Sequence, residues 1–211
     1  MVYRSVLNYL IFGITYAFAA AVQPGPLQTY IISQTIKRGW RKTLPTAFAP
    51  VVSDGPILIL VLFLLSTIPD NFIIVLRIGG GIFLLYLGLR AFKSWREFDE
   101  DETISDESNK HTLLSAVFVN LLNPAPYLGW SLIMGPLFLE GWRIAPINGI
   151  TLILGFYVTM IITLVGIIIL FGFARELGPK VSKILLGLSS IALFIFGFYQ
   201  LAQGIIYYFE S

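Results

Sequence analysis

The sequence predicts an all-α polytopic membrane protein of six transmembrane helices, arranged as two inverted three-helix repeats whose first and fourth helices break at proline motifs. Three observations lead there. Of the 211 residues, 56% are hydrophobic and 12% charged, about half the charged share of a soluble chain. The apolar residues gather into six runs long enough to cross a bilayer, at about 20 residues each. The least regular stretches of the two halves match, since Gln23-Pro24-Gly25-Pro26 recurs as Asn123-Pro124-Ala125-Pro126.

The apolar runs lie near 6–36, 43–66, 72–92, 112–139, 147–173 and 184–206, and the first and fourth are long and interrupted. Residues 1–92 form the first repeat, 93–111 a charged linker and 112–211 the second repeat. Further matches join the repeats: Gly39-Trp40-Arg41 with Gly141-Trp142-Arg143, Pro45 with Pro146, and the run from Gly79 to Gly88 with that from Leu188 to Gly197. Three spans per half require the halves to be inverted across the membrane, and inverted repeats interrupted at matching places are the architecture of secondary transporters. The linker carries seven of the twelve acids (Glu97, Asp99, Glu100, Asp101, Glu102, Asp106 and Glu107) and reads as a solvated connection without the spacing of a calcium loop.

Eleven of the 14 basic residues follow the first, third and fifth spans, and the others are Arg4, Arg77 and Arg143. The positive-inside bias therefore puts the linker in the cytoplasm and both termini outside. A cleavable-leader reading of Arg4, the apolar run and Ala17-Phe18-Ala19 is the weaker one, because cleavage would leave a very short first span starting at a proline-glycine break. The chain has no cysteine and one histidine, His111, which removes thiolate chemistry and leaves no basis for a histidine metal site. No cofactor or metal is expected, and a net charge of +2 gives no reason to expect nucleic-acid binding.

Two prolines flanking a glycine or alanine free backbone carbonyls and amides inside the bilayer, where protein, water or a ligand must satisfy them. The half-helix starting at Leu27 aims amides at the first break, which suits a carboxylate; the preceding half-helix ends in carbonyls that suit an ammonium group. The same holds at Pro124 and Pro126. Counted at about 1.5 Å per residue from the cytoplasmic ends, Gly25, Asp54 and Pro124 all lie about 16–18 Å deep, near the middle of a core about 30 Å thick. Asp54 is the only acid within a span, and at about 2.5–3.5 kcal/mol on insertion scales it should face the bundle interior or a watery cavity. It is the candidate coupling residue, with a structural role at Gly55-Pro56 as the alternative. Gln23, Pro24, Gly25, Pro26, Gln28, Asn120, Asn123, Pro124, Ala125 and Pro126 are the candidate substrate-binding residues, their neutral polar members being able to hold a zwitterion. Gly25 is also free to adopt positive φ. Ser53 stands beside Asp54, while Tyr127 and Trp130 suit apolar packing more than cavity lining. Arg77 lies about 8 Å from the outer end of its span and reads as an anchored surface arginine, with pairing to Asp54 as the alternative. Tyr207 and Tyr208 read as interface anchors.

At these residues the chain resembles the LysE/RhtB superfamily of small membrane exporters for amino acids. The resemblance rests on Pro24-Gly25-Pro26 in the first span, Gly39 with Arg41 after it, Asp54 in the second span and Asn123-Pro124 in the fourth. The chain departs from that pattern at Leu27, where the superfamily commonly has asparagine, at Ala125, where it has a nearby lysine, and at Lys42 and Pro50, where it has glycines. These departures leave the substrate open. The reading is a secondary transporter that exports amino acids or similar small metabolites, coupled to protons or to the membrane potential, by alternating access around a midplane site. Its surroundings would be the lipid bilayer of a bacterial cytoplasmic (inner) membrane, with a homo-oligomer left open. A cation or metal-ion exporter or channel is the alternative, though it would want several intramembrane carboxylates, and so is a non-transport assembly factor, which gives no reason for matching breaks. An enzyme is not expected: no nucleophile-base pair or metal cluster is visible in the spans.

Overall fold

The computed structural model describes residues 2–23, 25–63, 70–97 and 109–210, and all regular structure among them is helical. The helices are α1 (Val2–Val22), α2 (Pro26–Arg38), α3 (Trp40–Thr43), α4 (Ala49–Phe63), α5 (Asp70–Arg96), α6 (Asn109–Leu121), α7 (Pro124–Gly129), α8 (Gly135–Ile144), α9 (Pro146–Glu176) and α10 (Pro179–Glu210). A 3₁₀ segment, Leu44–Phe48, joins α3 to α4, and a π-helical turn, Trp130–Met134, joins α7 to α8. Pro24 and residues 98–108 of the acidic linker lie outside the described residues; on either side of the latter, α5 and α6 run into the linker.

Prolines start the helices and glycines end them. Pro26, Pro124, Pro146 and Pro179 each occupy a first helical position, where the missing N–H has no intrahelical partner to lose. Gly39 (φ 83°) and Gly178 (φ 116°) take the left-handed conformation that closes α2 and α9, and the Gly39 N–H returns to the Thr35 carbonyl at 2.9 Å.

The helices pack pairwise through small residues. α1 and α2 run parallel to α9. Gly13 lies against the Leu152 carbonyl, a Cβ on Gly155 would stand 2.9 Å from the Leu10 carbonyl, and further along both paths Trp40 covers Gly172. α5 and α10 are antiparallel: Ile78 meets Gly204, Gly81 meets Gly197, the Ser190 hydroxyl donates to the Gly88 carbonyl at 3.2 Å, and Trp95 meets Gly187. α4 runs beside the path of α6 to α8 in the same direction, through Ser53 with Asn120 and Val61 with Gly135. Large apolar side chains such as Ile59, Ile162, Leu170, Phe173, Ile195 and Phe198 point outward, as they do where lipid replaces water.

By length and apolar composition, Trp40–Val61, Pro146–Glu176 and Lys180–Ile206 can each cross a bilayer, and the pair Val6–Val22 and Pro26–Arg38, bent by 62°, makes a fourth span if taken as one. Among the described residues no further helix meets that measure. α5 is long enough at 27 residues, about 40 Å, and the fourth path is divided among α6, α7, the π turn and α8.

Candidate functional site

Both proline breaks open onto one cavity of about 450 Å³, within the 300–1,000 Å³ of small-molecule sites. Gln23, Gly25, Pro26 and Gln28 line it from the first break, and Asn120, Asn123, Pro124, Ala125 and Pro126 from the second. Asp54 enters from α4, Arg77 from α5, and Gln200 from α10. Of the candidate binding and coupling residues, all but Pro24, which lies outside the described residues, meet at this cavity.

The breaks are satisfied from within the protein to a greater extent than the sequence suggests. The Gln28 side-chain amide reaches back across the first break and donates to the Ala20 and Ala21 carbonyls at 3.2 and 3.1 Å, capping α1. At the second break, the Tyr127 hydroxyl donates to the Leu121 carbonyl at 2.9 Å, while the Asn123 side-chain oxygen accepts from the Ala125 N–H at 3.1 Å as the N-cap of α7. Gln28 and Asn123 therefore hold the breaks open as well as lining them. Gly25 has φ −159°, extended backbone open to any residue, so the positive φ open to it is not used. Space is what the glycine provides, because a Cβ there would stand 3.1 Å from the Gln28 Oε1.

Asp54 is 3% exposed and ringed by donors from three other helical segments and its own. Its Oδ1 accepts from Asn120 at 3.1 Å, with the Ser53 hydroxyl at 3.5 Å; its Oδ2 accepts from the Trp130 indole at 3.3 Å and the Tyr157 hydroxyl at 3.4 Å. Ser53 spends its proton more closely on the Ala49 carbonyl at 2.9 Å, and accepts from Asn120 at 2.7 Å. Charge-assisted hydrogen bonds to carboxylates run at about 2.5–2.9 Å. All four contacts exceed that, so the carboxylate is surrounded without being clamped, and an ammonium group or a proton can compete for it. α4 continues through Pro56 without a break, and Asp54 bonds side chains of α6, the π turn and α9 rather than capping its own helix.

Trp130 owes its inward position to the π turn. The Gly135 N–H reaches five residues back to the Trp130 carbonyl, a Cβ at 135 would collide with that carbonyl, and Pro136 has no N–H to restore ordinary α-helical pairing. Trp130 then packs edge-on against Phe156 at 5.7 Å and stacks on Tyr157 at 6.3 Å, so Tyr16, Trp130 and Phe156 form an aromatic wall of the cavity. Arg77 is half-buried rather than an outward anchor, and its guanidinium donates to Gln203 on α10 at 3.3 Å. Gln200 is buried with no partner for its side-chain oxygen, at the point where Gly80 lies against the Leu122 carbonyl of the second break.

The family model described as LysE type translocator matches residues 18–204, nearly the whole of this assembly. The chain belongs to that family. No curated protein and no solved structure matches it. As a LysE type translocator it is an integral membrane protein of a transporter family, not of an enzyme family.

In this translocator, three features of the cavity and its surroundings escape sequence reading. Tyr157 sits within a 31-residue apolar helix whose pattern marks no residue as special. Trp130, assigned to packing, also donates to Asp54. Gln200 lies far from either proline motif in the chain, and only the α5 to α10 crossing brings it to the second break. The Gly135-Pro136 pair was the available signal for the irregular turn.

Proposed function

We propose that this LysE type translocator exports amino acids or similar small zwitterionic metabolites by alternating access around the 450 Å³ cavity. The observation that carries the reading is the convergence on that cavity of Asp54, Arg77 and both proline breaks. A buried carboxylate and a guanidinium on one cavity suit a ligand with an ammonium and a carboxylate, and the aromatic wall adds cation–π attraction for the ammonium end. Asp54 is the coupling residue in this reading, exchanging a proton or the substrate's cationic group. One charge crossing about 100 mV supplies about 2.3 kcal/mol, enough for a gradient of roughly fiftyfold.

The chain forms six spans in two inverted repeats, with both termini outside, in a bacterial cytoplasmic membrane. Helix directions support this: the first path is parallel to the fifth, the second to the fourth, and the third antiparallel to the sixth, as six alternating spans require. Laying Gly88 on Gly197 also exchanges contacts for contacts. The pair Gly81 and Gly197 becomes Ser190 and Gly88, and the pair Ile78 and Gly204 becomes Gly187 and Trp95. Because the chain has no cysteine, Ser108→Cys and Ser211→Cys can each be probed with an impermeant thiol reagent. The six-span reading requires labelling from opposite sides, and same-side labelling rejects it.

The decisive test of transport is counterflow in proteoliposomes with labelled amino acids, organic cations and metal ions. The proposal requires uptake of at least one amino acid against its unlabelled counterpart. Counterflow of metal or organic cations with none of any amino acid overturns it.

A further inference from the structure

The substrate cavity has two unlike sides. Most of its amide side chains and its carboxylate stand at the breaks and on α4, whereas α1, the π turn and α9 give it a wall of aromatic and methionine side chains. Tyr16 stacks on Phe156 at 6.1 Å, and because α1 runs parallel to α9 the same register brings Ala20 level with Met160 one turn further along both. Phe156 meets Trp130 edge-on, and Met134 ends the π turn that Trp130 begins. The Trp130 indole N–H is directed to Asp54, so the ring is what the wall receives from it. Of the chain's three methionines, Met134 and Met160 both line the cavity, at 1% and 7% exposure. A thioether side chain is flexible and polarizable, and it fits apolar partners of differing shape.

An independent observation is the charge inventory. Among the described residues that line the cavity, Asp54 is the single acid and Arg77 the single base. The α-ammonium and α-carboxylate of an amino acid already match one charge of each sign, so a charged side chain would enter without a partner. An unmatched charge at mid-bilayer depth weakens binding by about a hundredfold. Size works in the same direction. A cavity of about 450 Å³ corresponds to about fifteen waters at about 30 Å³ each, and clearing them from an apolar wall favours the solute by about fourfold for every buried side-chain carbon.

We propose that the wall of Tyr16, Met134, Phe156 and Met160 is a side-chain subsite, and that the translocated solutes are amino acids with large, uncharged, apolar side chains, whether branched, thioether or aromatic. The proposal rests on the amino-acid reading above and adds to it the class of side chain. Asp54 and the breaks engage the α-amino and α-carboxyl groups common to all amino acids, and the wall chooses among them. Because the wall's adaptable members are methionines, selection falls between large apolar side chains and charged or small ones more than between one large apolar side chain and another.

The test is counterflow through the full-length protein in proteoliposomes, with each common amino acid supplied in labelled form, below saturation, against the same compound unlabelled inside. Leucine, isoleucine, methionine and phenylalanine should exchange within about tenfold of one another. Alanine should fall at least about tenfold below leucine, and lysine and glutamate about a hundredfold below it. Met160→Ala and Met134→Ala are made separately, so that either serves if the other does not fold. Each should raise the exchange of tryptophan relative to leucine about fourfold, because the vacated space lies in the wall. A role in packing alone would lower both solutes in proportion, and an unchanged ratio would overturn the subsite. Exchange of lysine, glutamate or alanine at the rate of leucine would overturn the proposal while leaving amino-acid transport intact. Exchange of no amino acid at all would overturn the transport reading, and this proposal with it.

Discussion

Removing Asn120 tests the architecture around Asp54 at its tightest point. The Asn120 amide donates to the Ser53 hydroxyl at 2.7 Å and to Asp54 Oδ1 at 3.1 Å, tying α6 to α4 beside the second break. Interhelical polar pairs in membranes contribute about 0.6 kcal/mol on average and up to about 1.7 kcal/mol, because the unfolded state in the membrane also finds partners. Bonds to ionised groups are roughly twice as strong as neutral ones. The longer bond, to the carboxylate, should therefore couple more strongly, at about 1.5 kcal/mol, than the shorter neutral bond to Ser53, at about 0.6 kcal/mol. Two double-mutant cycles measure this, one combining Asn120→Leu with Asp54→Ala and the other combining Asn120→Leu with Ser53→Ala, by reversible unfolding in mixed micelles. A coupling to Asp54 within about 0.3 kcal/mol of zero, or smaller than that to Ser53, would refute the charged cage described above.

Gly135→Ala drives a methyl group into the Trp130 carbonyl, so the π turn must rearrange and Trp130 must leave Asp54; efflux should fall at least tenfold, with a change in tryptophan fluorescence, and a wild-type spectrum with wild-type efflux would refute this. Gln28→Leu leaves the Ala20 and Ala21 carbonyls without their side-chain donor and should lower stability by about 1–3 kcal/mol, measured by unfolding in detergent. Gly25→Ala should be nearly silent, since its backbone is extended and only the mobile end of Gln28 must yield, whereas Gly25→Val should block efflux from vesicles while the protein remains folded. If efflux survives Gly25→Val in a stable protein, the first break is not part of the solute path.

The parts of this site that the sequence discloses are those whose chemistry is unusual for their surroundings. Pro26, Pro124 and Pro126 interrupt apolar runs, and Asp54 is an acid where acids are costly, so each is visible without knowledge of the fold. A count of helical rise, which is nearly constant, expects Gly25, Asp54 and Pro124 at one level, and all three line one cavity. Azimuth is not fixed by such a count. A count of residues from the membrane surface does not say which way Arg77 faces, and the crossing of α5 over α10 turns it toward the cavity and Gln203. Tyr157 was hidden because a tyrosine in an apolar helix has many ordinary uses, and only the packing of α9 against the π turn aims its hydroxyl at Asp54. Gln28 and Asn123 looked like free ligands because the sequence does not reveal that each folds back onto its own break.

The most direct measurement is gradient-driven efflux of the solute found by counterflow, from vesicles holding wild-type protein or Asp54→Asn. The substitution keeps the shape of the side chain and removes its charge and its titration; its remaining oxygen can accept from Asn120 while the new amide N–H donates to the Tyr157 hydroxyl oxygen. The account predicts that Asp54→Asn inserts and folds, and that its efflux no longer responds to an imposed proton gradient or membrane potential. Efflux by Asp54→Asn at the wild-type rate, with the wild-type dependence on pH and potential, would contradict it.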